Sequence, residues 1–186
     1  MTNDENVDID ILIRRCIANR PQARRKFFDR FGSKVMSICR RYTYSNEEAD
    51  VIFQKSFINI FNSLNKYNSA TDSIDSWICS LTVNVVLEEI KEKFYEPKTV
   101  SDASVGFFNP KEELTPVDLL HFMDQLSFEK RLVFNLYVID GYSHEQIGQL
   151  LDISQGVSRY LLSRAKDKLA ELHKRQQAFA KAFPKF

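Results

Sequence analysis

Near the end of the chain, a group of polar and basic residues has the side-chain types that bind nucleic acid. The group consists of Gln155, Ser158, Arg159, Tyr160, Ser163, Arg164 and Lys168. Amide, hydroxyl and guanidinium groups can form hydrogen bonds with base edges, and cationic groups neutralise phosphates. The first four residues lie at the start of a predicted helix and suit base edges. The last three lie further along it and suit phosphates.

The elements that would position this group form a predicted helix-turn-helix. Ser143 and Gln146 have the spacing of a capping box, which begins a short helix that runs to Leu151. A short turn then leads into a longer basic helix over 154–174. We expect a small core built by apolar residues of both helices: Ile147, Leu150, Ile153, Val157 and Leu162. A basic helix is often only a solvated face, but the short helix and turn before it favour insertion of the second helix into the major groove of DNA.

The sequence contains no arrangement typical of an enzyme. The carboxylate pairs 47–48 and 88–89 are adjacent, so their side chains diverge on a helix. Phosphate-binding loops, nucleophile elbows and HExxH motifs do not occur in the sequence. Cys16, Cys39 and Cys79 stand apart from one another and from the histidines, so we expect reduced, buried thiols rather than a nucleophile, a disulfide or a zinc site. We therefore predict a protein without catalytic activity, metal or cofactor.

Composition and patterning predict an all-α fold with two small helical domains joined by a flexible linker. Of the 186 residues, 44% are apolar, and Gly and Pro number only five each, which favours helices over strands. The predicted helices cover about 8–19, 21–42, 47–66, 73–94, 118–126, 128–139, 143–151 and 154–174. The Pro-containing segment 96–116 predicts a linker between domains 1–95 and 117–176, with a tail over 177–186. Because the sequence lacks a run of about 18 apolar residues and a secretory signal, we expect a cytoplasmic protein without a membrane segment.

The basic residues are concentrated in two segments, although the net charge is only +1. Residues 14–41 contain ten Lys or Arg and one acidic residue, Asp29. Residues 154–175 contain six Lys or Arg and two acidic residues. Clustered basic residues are typical of contact with phosphates. The distribution of charge therefore supports nucleic-acid binding more than the net charge does.

Two parts of the sequence resemble the extracytoplasmic-function group of the sigma-70 family, the minimal specificity subunits of bacterial RNA polymerase. FNLYVIDGYSHEQIGQLLDIS, followed by SRYLLSRAKDKLAEL, resembles region 4, which reads the −35 promoter element. FFDRFGSKVMSICRRYTYSNEEADVIFQKSFINIFNSLNKY resembles region 2, and SIDSWICSLTVNVVLEEIKEKF resembles the part of it that melts and reads the −10 element. Together they cover about residues 10–175 in the family's order. The resemblance implies a sigma factor that binds the β′ clamp and β flap of core RNA polymerase and directs it to promoter DNA.

The resemblance also implies which residues contact the polymerase. In the family, the third helix docks on a coiled coil of the clamp. The candidates at the matching positions are Asp50, Ile52, Phe53, Gln54 and Phe57. Apolar side chains rimmed by polar ones suit a helix that binds another helix. The alternative for Phe53 and Phe57 is a place in the internal core.

Residues for the −10 element are implied in the same way. Trp77 and Asn84 match the family's Trp and Asn, and the loop 67–72 matches the loop that captures an unstacked base. The candidates are Tyr67, Asn68, Ser69, Trp77, Asn84 and Lys91. A surface that receives a flipped base offsets the lost stacking energy. The alternative for Trp77 is packing in the core, since it shares an apolar face with Ile74 and Ile78.

Several positions depart from the family's pattern, and most of them remove positive charge or a polar group. They are Val51, Lys55, Asp75, Ser80, Leu161 and the acid-rich run 88–93. Fewer phosphate-facing cations weaken DNA binding. We therefore expect weak or relaxed promoter recognition, with recruitment by another DNA-bound protein as a hypothesis. An anti-sigma factor is a further partner that the resemblance suggests.

Three functions stay open at this point. The first is a working sigma factor that is monomeric when free. The second is a sigma-like adaptor that binds polymerase without recognising promoters by itself. The third is a helix-turn-helix repressor, which usually binds two half-sites as a dimer. The resemblance of the first half to region 2 argues against the third.

Overall fold

The computed structural model describes the backbone of residues 2–95 and 122–182 and the side chains of residues 8–91 and 122–175. The chain divides into two compact units, over 1–90 and 91–186. Every regular element in the described ranges is a helix, which confirms the predicted all-α fold with two helical units. The predicted linker, most of the predicted helix 118–126 and the end of the tail lie outside the described residues.

The first unit consists of four long helices joined by short connections. They are α1 (Thr2–Ile17), α2 (Pro21–Tyr42), α3 (Asn46–Ser63) and α4 (Ile74–Tyr95), with one 3-10 turn (Leu64–Lys66) after α3. α1 begins earlier than the predicted start at residue 8. The prediction relied on apolar periodicity, which the acidic N-terminus lacks.

The ends of these helices follow from local sequence. Beyond the end of α1, Asn19 adopts a left-handed conformation with φ 54°, which Asn tolerates better than most residues. Pro21 opens α2, where the missing N–H would have had no helical partner. Ser45 caps α3, since its Oγ accepts a hydrogen bond from the backbone N–H of Glu48 at 3.1 Å. This bond is the serine half of a capping box.

Aromatic rings form the centre of the first unit. Phe27 of α2 is fully buried and packs against Phe31 and Phe61, with ring centroids 4.6 and 5.7 Å away. Ile60 of α3 and Ile78 of α4 are also closed to solvent. Ile60 and Ile78 bring one face of α3 and one face of α4 into this core, so the opposite face of each helix is turned outwards.

The second unit joins its helices around a smaller core. α5 (Phe128–Phe134) continues into a π-helical turn (Asn135–Ile139) and is followed by α6 (His144–Leu151) and α7 (Gln155–Ala182). Gly141 has φ 78°, a conformation that favours glycine after the π-helical turn. Leu132, Leu136 and Ile147 are buried between the helices. α7 extends beyond its predicted end near residue 174 because residues 176–182 are mostly good helix formers.

Arg131 is a buried charge in α5. Only 2% of the residue is exposed, and its guanidinium donates a hydrogen bond to Oδ1 of Asp124 at 2.6 Å. Removing the partner of such a charge is strongly destabilising. Arg131 therefore belongs to the framework of the second unit.

Among the helices of the described ranges, none has the length and apolar character needed to cross a membrane.

Replacing Phe27 by alanine should lower the free energy of unfolding of the first unit by about 3–5 kcal/mol, because a fully buried ring is lost and a cavity remains. Trp77 lies in this unit and is the only tryptophan of the sequence. Its fluorescence during urea unfolding therefore reports on the first unit. The control is Ile58→Ala, at a residue that is 62% exposed, with an expected change within about 0.5 kcal/mol. Equal effects of the two substitutions would contradict the assigned core.

Candidate nucleic-acid interface

The turn between α6 and α7 brings these two helices into close contact. α6 begins with the complete capping box that the sequence predicts, since Ser143 Oγ accepts from the Gln146 N–H at 3.2 Å and Gln146 Oε1 accepts from the Ser143 N–H at 2.8 Å. α6 ends at Asp152, which is left-handed with φ 53°. A Cβ at Gly148 would lie only 2.8 Å from the carbonyl oxygen of Ile153. The turn therefore depends on Gly148, a residue whose role the sequence pattern did not reveal.

The outward face of α7 carries most of the residues predicted to bind DNA. The exposed members are Gln155, Arg159, Tyr160, Ser163 and Arg164, while Lys168 is half-buried. Arg159 donates a hydrogen bond to Oε1 of Gln155 at 2.7 Å, so these side chains lie next to each other one turn apart. Tyr160 is 62% exposed. This surface offers an amide, a guanidinium and a phenol at the start of one helix, all of which can form hydrogen bonds with base edges.

Ser158 does not belong to that face, and this part of the prediction is wrong. The residue is 0% exposed, and its Oγ lies 2.9 Å from Nδ1 of His144, the first residue of α6. A buried hydroxyl needs a hydrogen-bonding partner, and the imidazole is that partner. Ser158 therefore joins α6 to α7 and cannot reach a base edge.

Val157 departs from its prediction in the opposite way, because it is exposed where the sequence predicts a core residue. It was predicted to lie in the core, but it is 44% exposed and precedes Arg159 on the outward side. The buried residues of α7 follow one another at helical spacing: Ser158, Leu162, Ala165 and Leu172. Val157 does not fit this spacing and therefore lies off the buried face. The spacing is the feature of the sequence that could have predicted the exposure of Val157. An exposed valine at this place offers an apolar contact to the methyl group of thymine.

In the first unit, the predicted base-capturing residues meet at the start of α4. The rings of Tyr67 and Trp77 contact each other edge to face, with centroids 5.5 Å apart, and Trp77 is half-buried. The Tyr67 hydroxyl donates a hydrogen bond to the backbone oxygen of Asp72 at 3.0 Å, which closes the loop between them. Asn68 and Ser69 lie exposed on this loop. Trp77 thus packs partly in the core while part of its ring faces solvent.

Asn84 and Lys91 extend the same side of α4. Both residues are exposed, and they follow Trp77 at intervals of seven residues. This spacing keeps the three side chains on one side of a helix, with a drift of about 20° per step. The structure therefore brings the predicted −10 residues of α4 onto one continuous surface that begins at the Tyr67 loop.

The outward face of α3 differs from the one predicted to contact polymerase. Ile52 and Phe57 are only 4% and 6% exposed, and Phe57 packs against Phe28 with ring centroids 4.7 Å apart. Both residues belong to the core, so the prediction that they contact a partner is wrong. Asp50 and Gln54 are exposed as expected, and Phe53 is half-buried.

The exposed apolar residues of α3 are Val51 and Ile58, which are 50% and 62% exposed. They lie seven residues apart with Gln54 between them, so the three form a stripe along one side of the helix. The sequence pattern does not reveal the exposure of Val51 and Ile58, because the strongest periodicity in α3 is that of its buried face. We call Val51, Gln54 and Ile58 the α3 stripe.

Two family models match the chain, one in each unit. The model of sigma-70 region 2 matches residues 27–93, and the model of sigma-70, region 4, matches residues 117–169. The chain belongs to the sigma-70 family.

Similar proteins are sigma factors as well. The chain is 25% identical to the RNA polymerase sigma factor CarQ of Myxococcus xanthus over 150 residues, which cover 78% of this chain and 86% of CarQ. It is 23% identical over 152 residues to the ECF RNA polymerase sigma factor SigE of Mycolicibacterium smegmatis, a match that covers 75% of this chain and 57% of SigE. These findings identify an extracytoplasmic-function sigma factor for transcription initiation, as the resemblance implied.

A solved structure shares the fold. It is that of the sigma factor RpoE in complex with the anti-sigma factor NepR from Bartonella quintana. The likeness covers 81% of this chain and 96% of RpoE, with 16% sequence identity and a TM-score of 0.51. At this identity the likeness establishes the fold alone.

In region 2 of this sigma factor, two lysines are held by carboxylates of α4. Lys34 of α2 pairs with Asp75, and Nζ of Lys55 on α3 lies 2.6 Å from both carboxylate oxygens of Glu89. A lysine in such a pair contributes less positive potential to phosphates. Two of the departures from the family's pattern, Lys55 and Asp75, thus take part in ion pairs between helices.

Two of the three thiols of this sigma factor, those of Cys16 and Cys39, are poor nucleophiles. Burial raises the pKa of Cys39 to about 11. Burial also raises the pKa of Cys16, against a smaller lowering by Arg24. Both thiols therefore stay protonated near neutral pH, and Cys79 is half-buried rather than buried.

Within the ranges whose side chains are described, His, Cys, Asp and Glu form no group of three that could hold a metal ion. Sigma factors are in general DNA-binding regulators rather than enzymes.

His144 connects three elements of region 4. Its ring stacks on Tyr137 of the π-helical turn, with centroids 4.3 Å apart and an interplanar angle of 22°, and its Nδ1 contacts Ser158 of α7. Burial lowers the pKa of His144 below 6.5, and the positive charges of Arg159 and Lys166 lower it further. Neutral His144 is thus the form that suits the folded unit.

Region 4 should lose stability as the pH falls below about 6.5. The pKa of His144 is lower in the folded than in the unfolded chain, so the unfolded chain binds the proton more readily. The stabilisation is complete above the unfolded pKa and is lost as the pH falls through the folded pKa. An NMR titration of the His144 imidazole, assigned with the variant His144→Asn, should give a pKa below 6.5. A pKa at or above 6.5 would contradict the half-buried position of the ring beside Arg159 and Lys166.

Proposed function

We propose that this sigma factor directs core RNA polymerase to promoters through two separate contacts with DNA. Region 4 binds the −35 element, and region 2 opens and reads the −10 element. The corresponding domains cover 1–95 and 117–176, with 96–116 as linker and 177–186 as tail. The proposal is carried by the exposed start of α7, because its side-chain types and its place after a capped helix and tight turn suit the major groove.

In the −35 contact, base-reading and phosphate-binding residues take different parts of α7. The proposed base-reading residues are Gln155, Val157, Arg159 and Tyr160. The proposed phosphate-binding residues are Ser163, Arg164 and Lys168. Arg164 and Lys168 form exposed ion pairs with Asp167 and Glu171 at 3.8 and 3.5 Å. Such pairs contribute little free energy, so both cations can exchange their carboxylate for a phosphate.

In the −10 contact, the Tyr67–Trp77 pair is proposed to receive an unstacked base. The partly exposed ring of Trp77 follows a loop whose tip exposes Asn68 and Ser69. Stacking a base on an aromatic ring contributes about 1–3 kcal/mol, which is similar to the cost of taking a base out of the duplex. Asn84 and Lys91 would then follow the single strand along α4.

The α3 stripe is the proposed contact with the β′ clamp of polymerase. Val51 and Ile58 are the apolar anchors, and Asp50 and Gln54 are the polar rim. Exposed apolar residues at this spacing suit docking onto another helix. Half-buried Phe53 would lie at the edge of the contact, and region 4 is proposed to bind the β flap. An anti-sigma factor is a proposed partner because RpoE, which shares the fold, was solved with one.

The charge of α4 favours a second function, that of an adaptor. Within residues 75–91, α4 carries Asp75, Glu88 and Glu89 against Lys91 alone. Carboxylates close to a DNA strand weaken binding, since fewer counterions are released. Weak promoter binding would require recruitment by another DNA-bound protein. In the limiting case, the chain would bind polymerase without recognising promoters by itself.

Arg159→Ala should weaken promoter binding by about 1–3 kcal/mol and relax specificity at one base pair, as loss of a bidentate base contact does. The matched control is Arg164→Ala, which should weaken binding to all sequences alike and reduce the salt slope by about 1. Promoter DNA for this test is obtained by sequencing the DNA that co-purifies with the polymerase complex. Fluorescence anisotropy over a salt series then separates the two effects. Identical profiles for the two variants would contradict the proposed roles.

Asn84→Ala should reduce promoter opening about tenfold without affecting binding to core polymerase, because the contact lies on the unpaired strand. Permanganate reactivity of unpaired thymines measures the opening, and co-elution with core polymerase measures the binding. Asn62→Ala, at an exposed position of α3, is the matched control and should leave opening unchanged. A wild-type chain that binds core polymerase but opens no promoter would exclude the sigma activity and support the adaptor. A chain that does not bind core polymerase would exclude both functions.

A further inference from the structure

A groove between α1 and α2 is lined by both cationic and apolar side chains. It has a volume of about 450 Å³. The residues that define its character are Ile11, Leu12, Arg15, Arg20, Lys26 and Arg30. None of them belongs to the sets proposed above for promoter DNA or for polymerase. The groove thus stands without a role in the proposed function.

The four cations of the groove have no carboxylate partner among the side chains that the structure describes. Arg15, Arg20, Lys26 and Arg30 are all exposed, and no ion pair joins any of them to a carboxylate among the described side chains. Asp8 is the acidic residue at the groove. Arg24 differs, because its guanidinium donates to Oδ1 of Asn19 at 2.5 Å and lies over the ring of Phe61. Arg24 therefore stabilises the fold. Arg30 also lies over a ring, that of Phe31, 5.6 Å from its centroid, but this contact does not neutralise its charge. The groove cations remain available to a negatively charged partner.

The apolar part of the lining decides which kind of negatively charged partner fits the groove. Ile11 is 44% exposed and Leu12 is half-buried. A phosphate backbone needs cations but gains nothing from such side chains. An acidic amphipathic helix uses both the cations and the apolar side chains, since its apolar residues anchor in a groove and its polar residues contact the rim. The combination favours a protein segment over nucleic acid.

We propose that the groove between α1 and α2 binds an acidic amphipathic helix of a partner protein. Apolar side chains of the helix lie on Ile11 and Leu12, and its carboxylates pair with Arg15, Arg20, Lys26 and Arg30. The contact adds a protein-binding surface to region 2 that is separate from the α3 stripe.

The test uses the full chain, labelled with ¹⁵N, and a synthetic helical peptide of about five turns, roughly 18 residues. The peptide has leucines along one side and glutamates elsewhere. Binding should shift amide resonances of α1 and α2 and leave those of α7 in place. The variant Arg15→Glu/Arg30→Glu should weaken binding about tenfold or more, since two attractive contacts become repulsive. The matched control Arg14→Glu/Arg25→Glu changes the same charge at exposed positions outside the groove and should change binding less than about threefold.

Two further comparisons separate the groove from a merely basic surface. A peptide of the same composition with its leucine stripe broken should bind about tenfold more weakly, because the apolar anchors are lost. Ile11→Ser should weaken binding of the intact peptide, while Ile58→Ser, at the exposed end of the α3 stripe, should not.

Three results would overturn the proposal. Equal affinity for the intact peptide and for the peptide with the broken leucine stripe would show that charge alone accounts for the binding. Tighter binding of an oligo-thymidine strand, with shifts at the same residues, would assign the groove to single-stranded nucleic acid. Absence of shifts in α1 and α2 would show that the groove takes no such helix. Circular dichroism of each variant confirms that it is folded.

Discussion

Burial of one side of α7 against α5 and α6 is the constraint on which the DNA-binding surface depends. Leu162 and Ala165 bring this side into the core, and the opposite side must then face solvent. Ser158 is a polar residue on the buried side, and its hydroxyl is satisfied by His144. Because the imidazole also stacks on Tyr137, one side chain connects the π-helical turn, α6 and α7. The orientation of Arg159 and Tyr160 is a consequence of these contacts.

The same relation between core and surface governs region 2. The aromatic core around Phe27 and Phe57 determines which side of α3 is buried, and the α3 stripe is what remains outside. At the other end of the unit, the Tyr67 loop and Trp77 form a contact that is half core and half surface. An aromatic ring in that position is held rigidly by its buried part and can offer its exposed part to a base at little entropic cost.

Positive charge is distributed unequally over the molecule. Lys34 and Lys55 pair with carboxylates of α4, and Arg131 pairs with Asp124 inside the second unit. The groove cations of α1 and α2 and the outward residues of α7 remain exposed. Two basic surfaces are therefore present although the net charge of the chain is close to zero. The acidic residues of α4 lower the positive electrostatic potential beside the proposed −10 surface.

Sequence patterns alone predict the helical fold, most helix limits, the family and the order of its two regions. The fold and the helix limits depend on local signals, such as apolar periodicity, the Ser143 capping box and Pro21. The family and the order of its regions depend on long segments that resemble the family's sequences. It also placed Arg159, Tyr160, Asn84 and Gln54 on the surface, where the structure has them.

Which residues of each helix face outwards depends on tertiary packing. Ser158 and Val157 exchanged their predicted places, and Ile52 and Phe57 proved to be core while Val51 and Ile58 face outwards. For Ile52 and Phe57, the match to the family's positions misled. For Ser158 and Val157, residue type misled, because a serine is buried readily once a neighbouring helix supplies its hydrogen bond, and a valine stays exposed when the helix register turns it outwards. Both conditions depend on side chains distant in sequence, so a linear pattern cannot contain them.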